Sequence, residues 1–253
     1  WLSFAEPHNP YQVPRPYFDM FPPEALPPLG SSPDAYAQRG FKWRFTRWLG
    51  EQGFPDYREQ IPRARSNYHG MLRLIDDQLR RFVGFLEERG LRENTLVVFV
   101  SDHGDFVGEY GLVRKGPEVP NVLMRVPMIW TGPGIGRGSG PRVDHVSLID
   151  IMPTLCEAAG VPIPEGVQGR SLWPMLTGGE YPKREFESVY GEQGMGGLHF
   201  VDETEVIDPV VDGLNKEVGF DCLNSRSQSG AMRMLRKGRW KLDFDMEGRG
   251  QLY

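Results

Sequence analysis

The most regular pattern in the chain runs through Leu72, Ile75, Leu79, Phe82 and Leu86, which recur at intervals of three and four with Arg80, Arg81, Glu87 and Glu88 mostly between them. That spacing predicts an amphipathic helix of about 25 residues, laid against a sheet and closed by Gly90. Residues 95–100 are a continuous β-branched and apolar run, which predicts a strand buried on both faces. Helix, short turn and buried strand make half of a βαβ unit. Residues 126–131 predict a second such strand, 132–140 a glycine-rich turn, 149–159 a helix stopped at Gly160, and 171–176 a single helical turn. Residues 34–50 suit a helix carrying several aromatic side chains, and the apolar residues 1–5 suit a buried parallel strand.

Two stretches break this rhythm. Residues 6–33 hold nine prolines and so can form neither a regular helix nor a central strand. They predict a long, stiff surface loop, and long loops within a compact domain more often serve function than not. From about residue 184 the alternation changes. Residues 232–235 and 240–244 then predict an antiparallel hairpin around Lys237-Gly238-Arg239. The expected fold class is α/β. A mixed, mostly parallel sheet flanked by helices occupies residues 1–183, and a small antiparallel α+β subdomain occupies residues 184–253.

Composition narrows the class of function. A chain of 253 residues with 39% hydrophobic and 25% charged residues is of ordinary globular make-up. Its net charge of -5 gives no basic face, so nucleic acid is not an expected partner. No apolar run approaches the roughly 20 residues of a membrane helix, so no membrane partner is expected either. Cys156 and Cys222 are too few for a disulfide framework. The chain opens at Trp1 without a charged leader, and both of its ends read as cuts in a longer sequence.

The candidate chemistry lies past the first buried strand, where open α/β sheets present ligands. There the sequence reads Ser101-Asp102-His103-Gly104-Asp105. A carboxylate and an imidazole side by side can hold a divalent cation, and an oxygen-rich site with one histidine suits Ca²⁺, Mn²⁺ or Mg²⁺ better than structural Zn²⁺. On the dipeptide alone, the favoured reading is that Asp102 caps a helix and His103 lies on the surface. The following Gly108-Glu109-Tyr110-Gly111-Leu112 and Lys115 shift the balance. A glycine-bracketed loop returning a lysine toward the metal can neutralise charge on a sulfate or phosphate oxygen. Lys115 could also be one more solvated charge.

The stretch TLVVFVSDHGDFVGEYGLVRK, residues 95–115, resembles the second signature of the sulfatase family in the alkaline phosphatase superfamily. The resemblance continues in order through Arg125-Val126-Pro127, Asp150-Ile151-Met152-Pro153-Thr154-Leu155, Val167-Gln168-Gly169-Arg170-Ser171-Leu172, Arg239-Trp240-Lys241 and Leu252-Tyr253. It implies an alkaline phosphatase-like fold. It also implies metal ligation by Asp102 and His103, with Ca²⁺ the foremost cation. Histidine at the second place resembles the branch that includes choline sulfatases, iduronate sulfatases and phosphonate monoester hydrolases. Lys115 resembles the family's sulfate-binding lysine. Pro7-His8-Asn9-Pro10 resembles a PHxP element in which the histidine, here His8, protonates the leaving alcohol, a role imidazole can fill near neutral pH.

The family's nucleophile is a formylglycine made from the cysteine of a C-x-P-x-R segment, which the resemblance places ahead of residue 1, together with a further pair of aspartates. This chain then corresponds to the carboxy-terminal portion of such an enzyme and is expected to be inactive alone. Cys222-Leu223-Asn224-Ser225-Arg226 differs from that segment by Asn for Pro, but it follows the metal pair instead of preceding it and is read as a decoy. Cys156 is expected in the core. His145 is expected at the end of a short strand in a structural role, His69 on the surface and His199 in an irregular substrate-loop region. The function implied is metal-dependent hydrolysis of a sulfate ester on a small molecule or glycan. A phosphodiester or phosphonate monoester hydrolase on the same scaffold, or a non-catalytic sulfatase-like fragment, are the alternatives.

Overall fold

The computed structural model describes residues 1–54, 56–116, 118–136, 140–196, 230–245 and 248–253. Short 3-10 turns carry the proline-rich segment to helices α1 (Phe41–Gly53) and α2 (Tyr57–Glu88). Strand β1 (Val97–Val100), helix α3 (Asn121–Met124) and strand β2 (Met128–Thr131) follow. Helices α4 (Ile151–Ala158) and α5 (Trp173–Thr177) precede strands β3 (Ser188–Gly196), β4 (Gly230–Lys237), β5 (Trp240–Asp245) and β6 (Gly250–Leu252). Among the described residues no helix is long and apolar enough to cross a membrane.

Helix α2 ends where its sequence predicts. Gly90 takes φ +67°, and the Leu91 amide closes onto the Leu86 carbonyl at 2.8 Å. It begins earlier than the apolar repeat announces and runs through Pro62. A proline there removes one intrahelical hydrogen bond, while Tyr57 and Ile61 extend the buried face beyond it. The proline-rich segment lies across this helix. Asn67 donates to the Tyr11 carbonyl at 2.8 Å, and Arg65 donates to the Pro27 carbonyl at 2.8 Å. A Cβ at Gly70 would sit 2.7 Å from the Tyr17 carbonyl oxygen, so the loop backbone rests directly on the helix.

The strands depart from expectation in two ways. Residues 1–5 form no strand, and Trp1 and Leu2 are 113% and 54% exposed. An apolar run becomes a strand only with a ladder partner, and among the described residues none lies beside it. Strand β1 pairs with β2 antiparallel, Val97 opposite Thr131 and Val100 opposite Met128, and every strand pairing described is antiparallel. A parallel pair needs a long crossover, usually a full helix; between β1 and β2 the chain makes only the four-residue α3. Burial on both faces is not reached either, for β1 is half-buried throughout and Ile129 of β2 is 56% exposed.

The C-terminal sheet has the order β3-β4-β5-β6. Its central hairpin turns at Gly238-Arg239, with Lys237 opposite Trp240 and Gly238 at φ +55°. Met232 and Met234 pack on Val119 and Met124, binding this sheet to the segment between β1 and β2. Two of the sequence motifs form a clasp between elements. The buried Asp150 carboxylate accepts the Ser147 and Arg170 amides, both at 2.8 Å, and Thr154 Oγ1 accepts the Leu172 amide at 2.8 Å.

Two glycines separate backbone strain from packing. Gly160, closing α4, has φ +67° and open space where a Cβ would stand, whereas Gly111 has φ +74° and a Cβ there would lie 1.8 Å from the Pro33 carbonyl oxygen. Gly160→Ala should cost about 1–2 kcal/mol for the left-handed backbone alone. Gly111→Ala should cost more, because the loop must also move. Urea titration should show the larger drop in midpoint for Gly111→Ala; equal drops would refute the close approach.

Candidate active site

Asp102 and His103 sit on the turn just past β1. One Asp102 oxygen accepts the His103 amide at 2.9 Å, and the other lies 3.7 Å from His103 Nε2. The His103 Nδ1 is 2.8 Å from the Gly104 carbonyl oxygen. That contact orients the ring and leaves Nε2 on the side of the carboxylate, an arrangement common for metal-binding imidazoles. The Asp102 side chain is 86% exposed, so its outer oxygen is accessible. The turn is tight because Gly104 packs against α3, where a Cβ would fall 1.8 Å from the Val122 carbonyl oxygen.

His8 and Lys115 are brought together across the chain, with Nζ 3.5 Å from Nε2. The His8 Nδ1 lies 2.6 Å from the Asn9 carbonyl oxygen, so Nδ1 carries a proton to donate there and Nε2 faces the ammonium. The proline-rich loop thus delivers an imidazole to the lysine of the glycine-bracketed loop.

Sequence reading missed the group that joins these pieces. The Tyr11 hydroxyl donates to both Asp105 oxygens at 2.9 Å and accepts the Arg114 amide at 2.7 Å. Tyr11 is three residues from His8, Asp105 is two from His103, and Arg114 adjoins Lys115. A single phenol therefore ties all three candidate segments together. Burial, followed by the adjacent Asp105 carboxylate, holds the Tyr11 phenol far above its ordinary pKa, so it keeps its proton as donor. Burial also raises the Asp105 carboxyl, while the Val107 amide and the Tyr11 hydroxyl pull it back down. The signal lay in the sequence as a tyrosine directly after Pro7-His8-Asn9-Pro10 and a second aspartate after Asp102.

The lysine loop is held in a strained form. Val107, Tyr110, Arg114 and Glu118 all have positive φ, between 45° and 69°. For a β-branched valine this is a costly conformation, one that persists only when its surroundings over-determine it. Here they do. Asp105 accepts the Val107 amide at 2.9 Å, and Leu112 and Phe106 are 0% and 1% exposed. The Glu109 carboxylate accepts the Gly30 and Ser31 amides, each at 2.8 Å, which pins the proline-rich loop from its far end. The buried Arg47 donates to the Gly111 carbonyl at 2.6 Å from between the rings of Tyr36 and Tyr57, 5.3 and 4.6 Å away. Burial pushes the Tyr57 phenol up to about 12; its hydroxyl accepts the Val113 amide at 3.0 Å.

The other candidates lie apart from this cluster. His69 packs on Phe21 at 5.7 Å, and burial lowers its pKa. His145 is not in a strand; its amide donates to the Phe186 carbonyl at 2.9 Å, and burial lowers its ring pKa. Cys156 is half-buried beside Met152 instead of fully in a core, because α4 turns that face outward. His199 and Cys222 lie outside the described residues. Among the described residues no three or more His, Cys, Asp or Glu side chains converge as a metal cage. Asp102 and His103 thus stand as a pair of candidate ligands, with no third such side chain converging on them among the described residues.

Residues 1–161 match the family model "Sulfatase". The chain is 33% identical over 202 residues to an arylsulfatase of Clostridium perfringens, covering 77% of this chain and 40% of that protein. It is 31% identical over 188 residues to a choline-sulfatase of Rhizobium meliloti, covering 71% of this chain and 35% of that protein. The chain thus spans well under half the length of these curated relatives. The crystal structure of a phosphonate monoester hydrolase from Agrobacterium radiobacter superimposes with a TM-score of 0.77 at 26% identity, covering 99% of this chain and 49% of that one. A phosphonate monoester hydrolase from Silicibacter pomeroyi gives 0.75 at 27% identity, over 98% of this chain and 47% of that one. With its signature residues gathered on adjoining loops and the match running over most of its length, the chain belongs to the sulfatase family of the alkaline phosphatase superfamily.

Proposed function

We propose that these residues form the leaving-group side and one metal-ligand edge of a sulfuric ester hydrolase. The observation that carries this is the meeting of His8 and Lys115, 107 positions apart, at 3.5 Å on loops tied to the Asp102-His103 turn by one phenol. The Lys115 ammonium would hold the anionic oxygens of the ester and offset the charge they gain as the bond to the leaving group breaks. His8, with Nδ1–H committed to the Asn9 carbonyl, would act as the acid only when Nε2 is protonated as well: the imidazolium would pass its Nε2 proton to the departing alcohol oxygen and be left as the neutral ring. Tyr11 and Asp105 touch no substrate in this scheme; they fix where the other two stand.

Asp102 and His103 would hold a divalent cation, Ca²⁺ foremost and Mn²⁺ or Mg²⁺ as substitutes, which would act as a Lewis acid on the ester oxygens. Two ligands are few for a hard cation that takes about six. The parent enzyme would complete the site with ligands and a formylglycine nucleophile outside these 253 residues, which contain no C-x-P-x-R sequence. This chain would accordingly be the carboxy-terminal portion of the catalytic domain, its β1–β2 pair part of a larger, mostly parallel sheet.

Hydrolysis of a phosphonate monoester is the second reading. It is favoured by the superposition of nearly the whole chain on two phosphonate monoester hydrolases and uses the same residues, since Lys115 and His8 recognise a charged tetrahedral ester whichever atom lies at its centre.

Four outcomes test this. The chain alone should release no 4-nitrophenol from 4-nitrophenyl sulfate with Ca²⁺ or Mn²⁺ present, because the covalent step has no nucleophile; turnover lost on Cys222→Ala would overturn the assignment. In a longer chain carrying the formylglycine segment, Lys115→Ala and His8→Ala should each lower kcat/KM by roughly 10²–10⁴-fold. In that same chain, the ratio of kcat/KM for the aryl sulfate and for 4-nitrophenyl phenylphosphonate decides between the two readings. Finally, Tyr11→Phe should destabilise the chain by about 1–3 kcal/mol, since it strips a buried carboxylate of its donor. It should also weaken Mn²⁺ binding measured by electron paramagnetic resonance. Unchanged values for both would show that the phenol joins nothing.

A further inference from the structure

Lys115 stands between two anchored stretches of backbone. On its entry side the Arg114 amide donates to the Tyr11 hydroxyl at 2.7 Å, and the Arg114 carbonyl accepts the Phe106 amide at 2.9 Å. On its exit side the Gly116 carbonyl accepts Gln193 Nε2 at 2.6 Å, a bond that spans 77 positions and comes from β3. Gly116 is buried, so its carbonyl needs such a partner. The C-terminal sheet holds the rest of this segment as well. Lys241 donates to the Val119 carbonyl, Met232 and Met234 pack on Val119 and Met124, and Arg236 donates to Asn121 Oδ1 at 3.4 Å. Of these holds, the one made by Gln193 is nearest to Lys115 in the chain.

An amide is a costly choice at this position. Gln193 lies opposite Met232 in the β3–β4 ladder, and Gly191 lies opposite Met234, both methionines being buried. The Gln193 Oε1 is itself buried and has no hydrogen-bond partner among the described residues. A buried carbonyl oxygen without a donor destabilises the fold, and an apolar side chain of the same length would avoid that cost. What the amide supplies, and a methionine could not, is the donor to Gly116. Its orientation follows, since the opposite assignment would set oxygen against oxygen. The ladder also loses its register directly beyond the Gln193–Met232 pair. Irregularities of this kind commonly re-aim a side chain out of the regular pleat.

We propose that Gln193 is a positioning residue for Lys115: by holding the Gly116 carbonyl, it fixes the backbone on the far side of the lysine and so sets where the ammonium stands. Gln193 touches no substrate in this scheme. Tyr11 fixes the lysine from the proline-rich side and Gln193 from the C-terminal sheet, so the two sides of the chain meet at one side chain. The catalytic consequence rests on the ester-hydrolase reading; the hold on the loop does not.

Hydrogen exchange on the 253-residue protein tests the hold itself. In Gln193→Met, which keeps the length of the side chain without its donor, the amides of residues 113–116 should exchange about tenfold faster relative to those of α2. Gln193→Glu, close in shape and without a donor when ionised, should act in the same direction and serves if the methionine variant does not fold. Catalysis is tested in the longer chain carrying the formylglycine segment. There Gln193→Met should lower kcat/KM for 4-nitrophenyl sulfate about tenfold. It should add less than about twofold to the loss already caused by Lys115→Ala, since both changes act through one ammonium. A residue that served only the sheet would lower both backgrounds by the same factor. Unchanged exchange at residues 113–116, unchanged kcat/KM, or equal losses in the two backgrounds would each overturn the proposal. A longer chain with no hydrolysis at all would instead sink the ester reading, and the exchange measurement would still decide whether Gln193 holds the loop.

Discussion

The arrangement depends on one hydroxyl group. Tyr11 Oη donates to the Asp105 carboxylate and accepts the Arg114 amide, and in doing so joins a proline-rich loop, the turn after β1 and the lysine loop. None of these segments has regular secondary structure of its own to fix its place. Burial gives the junction its strength: with water excluded, an unpaired carboxylate there would be costly, so the three segments are held where its oxygens are satisfied. The proximity of His8 to Lys115 is a consequence of this junction more than of any direct attraction, since an imidazole lone pair at 3.5 Å from an ammonium is a weak contact.

The local elements were largely legible in the sequence. The three-and-four spacing from Leu72 to Leu86 marked α2, Gly90 and Gly160 marked helix ends, and Lys237-Gly238-Arg239 marked the hairpin. Sheet topology was not legible: every strand pairing among the described residues is antiparallel. A β-branched run such as residues 95–100 reports that apolar neighbours are wanted on both faces; it carries no information about which strand supplies them or in which direction it runs. The site was legible residue by residue through the family signature, yet its framework was not. Tyr11, Asp105, Arg47 and Glu109 act through contacts made 56 to 103 positions away, and such pairings leave no periodic trace.

The same distinction applies to the family's other motifs. Asp150 and Thr154 tie α4 to the segment ahead of α5 through buried hydrogen bonds, and among the described residues none of those bonds reaches the candidate site. They belong to the framework, and the chemistry sits on loops suspended from it. This division is common where catalytic groups ride on irregular segments anchored by a rigid scaffold.

The backbone of the lysine loop has a further implication. Four non-glycine residues at positive φ, and glycines at 104, 108 and 111 packed too closely for any side chain, leave the path of this loop almost no slack. A loop of that kind is already shaped before a ligand arrives, so binding need not be spent on ordering it. Discrimination between one ester and another must then come from groups at its margin, and relatives could diverge in substrate by exchanging those marginal side chains while the loop itself stays fixed.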